Sequence, residues 1–261
     1  MSESLDQKLT ALKLGRIRQI YASWIEQAAQ SNLSYAECLE QLVTEELLAR
    51  QENVLRRKMK QAGFPYAATI EQFDFSARPE LKRPVILRYF DSSFVTGACS
   101  LLLIGASGLG KTHLAIALGT KMVQLGYSVR FVVAQQLVNA VLEAASRTQV
   151  AKLIEPLIKC DVLILDEFGY LALEPQVGPV LYELIAGRYQ KGATIITSNK
   201  SLANWGELVG DTALMMAMID RLLHQGEVFY LRGTSYRLRG KEPVTLTAKP
   251  ELPLSGSPGK E

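Results

Sequence analysis

The sequence predicts an α/β fold: a parallel sheet with helices on both faces, preceded by a small all-α N-terminal domain. Between Cys99 and Leu118 an apolar strand runs into a glycine-rich loop and out into a helix, and beyond it strand-length apolar runs alternate with helical stretches as far as Leu231. Parallel strands need long crossovers, so their connecting helices cover both faces and the strands read as continuous apolar runs. Ahead of the first strand the periodic stretches are helical, which predicts the N-terminal domain.

In chain order, Ile17, Ile20, Tyr21, Trp24, Ile25 and Ala28 recur along one helix face, and Asn32 and Ser34 interrupt them. Ser34-Tyr35-Ala36-Glu37 has the form of a capping box. It opens a longer helix with Cys38, Leu39, Leu42 and Val43 inward, running to Gln61 before the stop signals Gly63 and Pro65. Residues 1–66 therefore read as a helical domain able to pack on a partner or on DNA. Its closing run Arg56-Arg57-Lys58-Met59-Lys60 complements the helix dipole; Arg56, Arg57, Lys58 and Lys60 are also candidates for DNA phosphate contact. Residues 67–97 read as a linker and a covering helix. The pair Phe73-Asp74-Phe75 would anchor the linker, and Leu81 to Phe94 would form the helix.

The run Gly105-Ala106-Ser107-Gly108-Leu109-Gly110-Lys111-Thr112 has the spacing G-x-x-x-x-G-K-[ST] of a phosphate-binding P-loop. Its glycines let the backbone fold tightly and turn successive N–H groups toward a triphosphate at a helix N-terminus. Leu101 to Ile104 supply the strand before it, and His113 to Leu125 a helix closed by Gly126. Lys111 is placed to reach the β- and γ-phosphates, and Thr112 to hold Mg²⁺.

Val129 to Val133 then reads as a strand, Gln135 to Ala145 as a helix, and a further helix ends near Cys160. Asp161-Val162-Leu163-Ile164-Leu165-Asp166-Glu167 has the form of a Walker B strand, four apolar residues that deliver two carboxylates to the sheet edge. Asp166 is the second candidate Mg²⁺ ligand, and Glu167 the candidate general base for an attacking water. The strand Ala193 to Thr197 ends in Ser198-Asn199, and Asn199 is either the residue that holds that water or a turn residue. Asn199-Lys200-Ser201-Leu202 lacks the aspartate of a guanine-reading N-K-x-D motif, which favours ATP over GTP. A helix from Leu214 to His224 carries Arg221, a strand covers Val228 to Leu231, and Arg237 follows. Either arginine is a candidate for balancing charge on the transferred phosphoryl group or for an ordinary surface ion pair. Residues 98–241 thus read as the ATPase domain, and 242–261, rich in Pro, Ser and Gly, as a disordered tail.

The 261 residues are ample for a buried core, and the net charge of +3 leaves DNA binding to local patches, with Arg147 and Lys152 a second candidate pair. Cys38, Cys99 and Cys160 are scattered in apolar stretches without metal-ligand spacing, which suits free thiols in a reducing cytoplasm. No apolar run approaches the roughly eighteen residues that span a bilayer, so a cytoplasmic protein without membrane contact is expected.

From about Arg16 to Lys241 the chain resembles the IstB-like helper ATPases of bacterial insertion sequences, a branch of AAA+ ATPases close to the DnaC helicase loaders. The marks are Ile20-Tyr21-Ala22-Ser23-Trp24, Asn32-Leu33-Ser34-Tyr35, Phe73-Asp74-Phe75-Ser76, Gly110 to Gly119, Leu163 to Leu171, Thr194 to Asn199, Asp220 to His224 and Ser235 to Arg239. The resemblance implies a Walker A strand separated from the Walker B strand by the Asn199 strand. It implies homo-oligomers with the ATP pocket at the protomer interface, assembled on double-stranded DNA with little sequence preference. It implies delivery of a transposase encoded by the same element. It makes Arg221 an arginine finger to the neighbouring protomer and Arg237 a sensor-2 arginine. The loop reads Gly105-Ala106-Ser107-Gly108 where many relatives carry prolines, and the tail runs past the family's usual end. The rival readings are a helicase loader with the same fold, a small-molecule kinase, against which Glu167 suits activation of water, and a non-catalytic scaffold, against which stand Lys111, Asp166 and Glu167.

Overall fold

The computed structural model describes residues 4–169, 174–206 and 211–236. Three helices come first: α1 (Leu5–Ala11), α2 (Gly15–Gln30) and α3 (Tyr35–Ala62). Ser34 and Glu37 form the expected capping box of α3, and Gly63, left-handed at φ 72°, ends it. Periodicity does not reveal α1, whose seven residues are too few for a repeat, yet Ser4 and Gln7 form a capping box there too.

The N-terminus of α2 has no capping side chain of its own. Glu46 of α3 substitutes: its Oε2 accepts the backbone N–H groups of Arg16 (2.8 Å) and Ile17 (3.1 Å), and its Oε1 accepts from Arg50 Nε (2.9 Å). Burial pushes the Glu46 pKa up, but the Arg50 bond and the two N–H groups outweigh it and leave the carboxyl below its ordinary range. Around this contact Leu9, Ile17 and Leu42 form a small core with Trp24 and Cys38 against it. Leu39 and Val43, expected inward, are exposed at 62% and 43%. They lie about 100° around the helix from Cys38 and Leu42, and the face that docks on α2 is the one carrying Leu42 and Glu46.

The last turns of α3 reach the sheet. Ala62 is buried, the Gln61 carbonyl accepts from an Arg130 amine (2.8 Å), Lys58 donates to the Gly126 carbonyl, and Phe64 meets Phe131 edge-on with centroids 6.4 Å apart. In place of one helix over Leu81 to Phe94 there are two short ones, α4 (Arg83–Leu87) and α5 (Ser93–Thr96). Between them the Asp91 side chain accepts the Ser93 N–H (2.7 Å), a local turn that competes with helix continuation.

The remaining elements are β1 (Ser100–Ile104), α6 (Lys111–Gln124), β2 (Val129–Val133), α7 (Ala134–Glu143), α8 (Arg147–Lys159), β3 (Val162–Phe168), α9 (Val177–Arg188), β4 (Ala193–Ser198), α10 (Thr212–His224) and β5 (Gly226–Tyr230). The five strands are parallel in the order β2-β3-β4-β1-β5, so β4 separates β1 from β3 as expected. Alternate residues feed two cores: Leu101, Leu103, Ile164 and Ile195 face α6, whereas Leu102, Leu163, Leu165 and Ile196 face α7, α9 and α10. The sequence reading has no helix at α9: its buried residues Val177, Leu181, Leu184, Ile185 and Arg188 share one face, but a charged residue sits on that face while Pro179, Val180 and Tyr182 stand off it, which blurs the period.

Glu46→Gln should remove a charged cap and cost about 1 kcal/mol, read as lost hydrogen-exchange protection in 15–30 at neutral pH. Because the folded carboxyl has a lowered pKa, its stabilisation is present above the ordinary carboxylate pKa and fades as pH falls through the lowered one. The difference between wild type and variant should therefore vanish on acidification; a pH-independent difference would exclude the charge as its source.

Candidate functional site

The loop between β1 and α6 folds as the P-loop spacing requires. Gly108 and Gly110 are left-handed at φ 78° and 93°, and a Cβ on either would meet a neighbour: Ser235 Oγ at 2.0 Å for Gly108 and the Phe73 ring at 2.9 Å for Gly110. Lys111 is 9% exposed, and its ammonium donates to the carbonyls of Gly105 and Ala106, both at 2.7 Å. A cavity of about 230 Å³ opens here, lined by Ser107 to His113, Glu167, Thr197 and Asn199 on one side. The linker closes it with Tyr66, Phe73, Asp74 and Arg78, and Tyr236 enters from beyond β5. A glycine-rich loop at a helix N-terminus with aromatic side chains beside it in one cavity suits a nucleoside triphosphate.

The carboxylates of β3 stand beside the loop. Asp166 Oδ1 accepts from Thr112 Oγ1 (2.8 Å) and from Thr197 Oγ1 (2.6 Å). The same Thr197 hydroxyl accepts the Glu167 backbone N–H (2.9 Å), and Thr197 is fully buried. Glu167 itself has φ 58°, a left-handed conformation that costs a non-glycine residue about 1–3 kcal/mol, at the point where the β3–β4 register shifts. Beyond that shift Ser198 donates from its hydroxyl to the Phe168 carbonyl (2.7 Å). The bulge brings Glu167 to the cavity wall while Asp166 stays 5% exposed. Among the described residues no cluster of three or more His, Cys, Asp or Glu side chains is shaped to hold a metal. The hydroxyl of Thr112 against the Asp166 carboxylate is nevertheless an all-oxygen pair that fits Mg²⁺, a cation that takes one or two protein ligands when phosphate oxygens supply others.

The structure thus brings Lys111, Thr112, Glu167 and Asn199 to one cavity, with Asp166 held behind its wall against the Thr112 hydroxyl. Arg221 lies elsewhere: it lines a shallow cleft with Ser100, Thr194 and Gln225 at the amino-terminal ends of β1 and β4. Its guanidinium donates to the Ala217 carbonyl (2.8 Å) and sits 4.8 Å from the Tyr182 ring centroid. About 15 Å of strand separates that edge from the P-loop. Arg237 and the tail 242–261 lie outside the described residues. Of the basic candidates, Arg56 pairs with Glu52 (2.8 Å) and Lys58 is engaged by Gly126, whereas Arg57, Lys60, Arg147 and Lys152 are exposed.

Sequence reading missed Thr197 and Arg78. Thr197 follows Ile195 by two on the α6 face of β4, and that period is its one signal. Arg78 carries no local signal, because the two partners that tie it to the P-loop and to the segment after β5 lie 31 and 156 positions away. No helix among the described residues is long and apolar enough to cross a membrane.

Comparison with known proteins agrees with this geometry. A protein named for ATP binding in insertion sequence IS5376 of Geobacillus stearothermophilus is 38% identical over 92% of this chain and 96% of its own length. Its counterpart from insertion sequence IS21 of Pseudomonas aeruginosa is 36% identical over 96% and 95%. Among solved structures, AMPPCP-bound DnaA from Aquifex aeolicus aligns with a TM-score of 0.55 at 19% identity, covering 67% of this chain and 53% of its own. DnaI aligns at 0.54 with 18% identity, covering 63% and 91%. These likenesses place the fold among P-loop AAA+ domains. The model of the family described as IstB-like ATP binding protein matches residues 7–243, and the chain belongs to that family.

Proposed function

We propose that this protein is an ATP-hydrolysing helper of transposition, which assembles into oligomers on duplex DNA and recruits or activates a transposase of its own element. The observation that carries the reading is the convergence of Lys111, Thr112 and Glu167 on one cavity, with Asp166 bonded to Thr112. Mg²⁺, held by Thr112 and Asp166, would neutralise charge on the phosphates. Lys111 exchanges its loop carbonyls for phosphate oxygens, Asn199 orients the attacking water, and Glu167 accepts its proton. A phosphoryl acceptor other than water would make the protein a small-molecule kinase, and phosphate release without an added acceptor separates the two.

The position of Arg221 supports assembly. A cation on the sheet edge opposite the P-loop serves a pocket only when a second protomer presents it, which gives a head-to-tail arrangement able to continue along DNA. Arg237 would act as the sensor-2 arginine within the protomer. The exposed cations Arg57, Lys60, Arg147 and Lys152 are the remaining candidates for phosphate contact. The likeness of the relatives to insertion-sequence proteins favours a transposase over a helicase as partner, and a pull-down with each would decide.

Three outcomes test this reading. Lys111→Ala should abolish nucleotide binding, whereas Glu167→Gln should bind ATP normally with hydrolysis reduced about 10²- to 10⁴-fold in a phosphate-release assay. Normal turnover by the glutamine variant would remove Glu167 from the role of base. Arg221→Ala should bind ATP but lose hydrolysis by about 10³-fold. Mixing it with Lys111→Ala should restore part of the activity, and a mixture no more active than its parts would exclude action across an interface. Finally, affinity for one long duplex of arbitrary sequence should fall more steeply with salt in ATP than in ADP, because more protomers displace counterions. Equal slopes would uncouple nucleotide from DNA engagement.

A further inference from the structure

Arg78 is 4% exposed and, among the described residues, has no carboxylate partner. All three of its donor nitrogens go to backbone carbonyls: Nε to Leu109 (3.0 Å), one terminal amine to Ala77 (2.6 Å) and the other to Thr234 (2.9 Å). These carbonyls belong to the P-loop, the linker and the segment after β5. The same residue lines the nucleotide cavity. Two further bonds follow its line: Glu80 Oε1 accepts the Arg232 N–H (2.8 Å), and the Tyr236 N–H donates to the Gly108 carbonyl (2.8 Å).

A buried cation held only by carbonyl dipoles is poorly compensated, and an anion entering the cavity beside it improves its position. The bonds also fix direction. A P-loop binds phosphate when its N–H groups face the cavity and its carbonyls face away; Arg78 and the Tyr236 N–H hold the carbonyls of two successive loop residues, Leu109 and Gly108. The planar fork reaches two carbonyls from distant parts of the chain at once, which a lysine ammonium on a flexible stem does not reproduce.

We propose that Arg78 is a positioning residue for nucleotide binding, a buried fork that locks the P-loop in its phosphate-accepting shape and ties it to the segment 232–236. The proposal rests on the reading of this cavity as an ATP site. Filling the cavity then orders the segment that leads to Arg237, and loss of the fork uncouples the two. Because the fork acts on the loop backbone and not on the γ-phosphate, ATP and ADP are affected alike.

The test uses the full-length protein, wild type, Arg78→Gln and Arg78→Lys. Nucleotide affinity is titrated with fluorescent ATP and ADP analogues, and amide exchange over 232–236 is followed with and without ADP. Wild type should gain protection in 232–236 on binding ADP. Both variants should bind ATP and ADP about tenfold or more weakly, by similar factors, and at saturating ADP should show no such gain. A role in folding alone would lower the melting temperature without changing the response of a folded variant to saturating ADP. A folded Arg78→Lys protein with wild-type affinity would overturn the proposal. So would a wild type that binds nucleotide without protecting 232–236, an observation that needs no variant to fold. A wild type that binds neither nucleotide would instead overturn the ATP-site reading, and this proposal with it.

Discussion

One carboxylate oxygen joins the parts of this molecule that must act together. Asp166 Oδ1 receives the hydroxyl of Thr112 from the first turn of α6 and that of Thr197 from the end of β4, so the P-loop helix and two strands meet at one acceptor. Hydrogen bonds to an ionised acceptor are roughly twice as strong as neutral ones, and here one donor comes from the helix that covers β3 and the other from the strand beside it. The Thr197 hydroxyl also holds the Glu167 N–H, so the strained backbone that carries Glu167 is anchored to the same point.

The second constraint is the sheet itself. Parallel strands send every β-to-α loop to one edge and every α-to-β loop to the other, and alternating side chains bury both faces. Phosphate-directed groups therefore collect at the carboxyl edge, while Arg221, at the end of α10 just before β5, is held at the amino edge. No rotamer change carries an arginine across the length of a strand. A distance fixed by β1 and β4 thus keeps Arg221 away from the pocket of its own chain.

How much of this the sequence disclosed depends on how local each signal is. The P-loop, the Walker B strand and the α3 capping box are contiguous patterns, and each stands where reading placed it. The strand order followed from resemblance and not from spacing, because pairing between distant strands leaves no local mark. Leu81 to Phe94 broke into two helices through a side-chain turn at Asp91 that competes with the helix on nearly equal terms. Leu39 and Val43 were misplaced because an apolar run on α3 is wider than the face its partner covers. The left-handed Glu167 was invisible, since its cause is a hydroxyl on another strand.

Arg78 and Arg188 show why such groups escape a residue-by-residue reading. Arg188 is 2% exposed, and burial lowers its pKa; its guanidinium donates to the carbonyls of Leu157 and Cys160 and to Thr194 Oγ1, so it closes the end of α8 and joins it to β4. A helix end leaves carbonyls without partners, and a tight loop does the same; where these are buried, a fork of fixed N–H groups satisfies several at once. Carboxylates would bring their own desolvation cost and would claim a single position. The two arginines accordingly serve opposite ends of the design. At Arg188 the carbonyls belong to α8, the turn after it and β4, and the side chain borders the shallow cleft it shares with Arg221, far from the P-loop. At Arg78 one side of the same arrangement opens on the nucleotide cavity, and a group that elsewhere only holds the fold becomes sensitive to what the cavity contains.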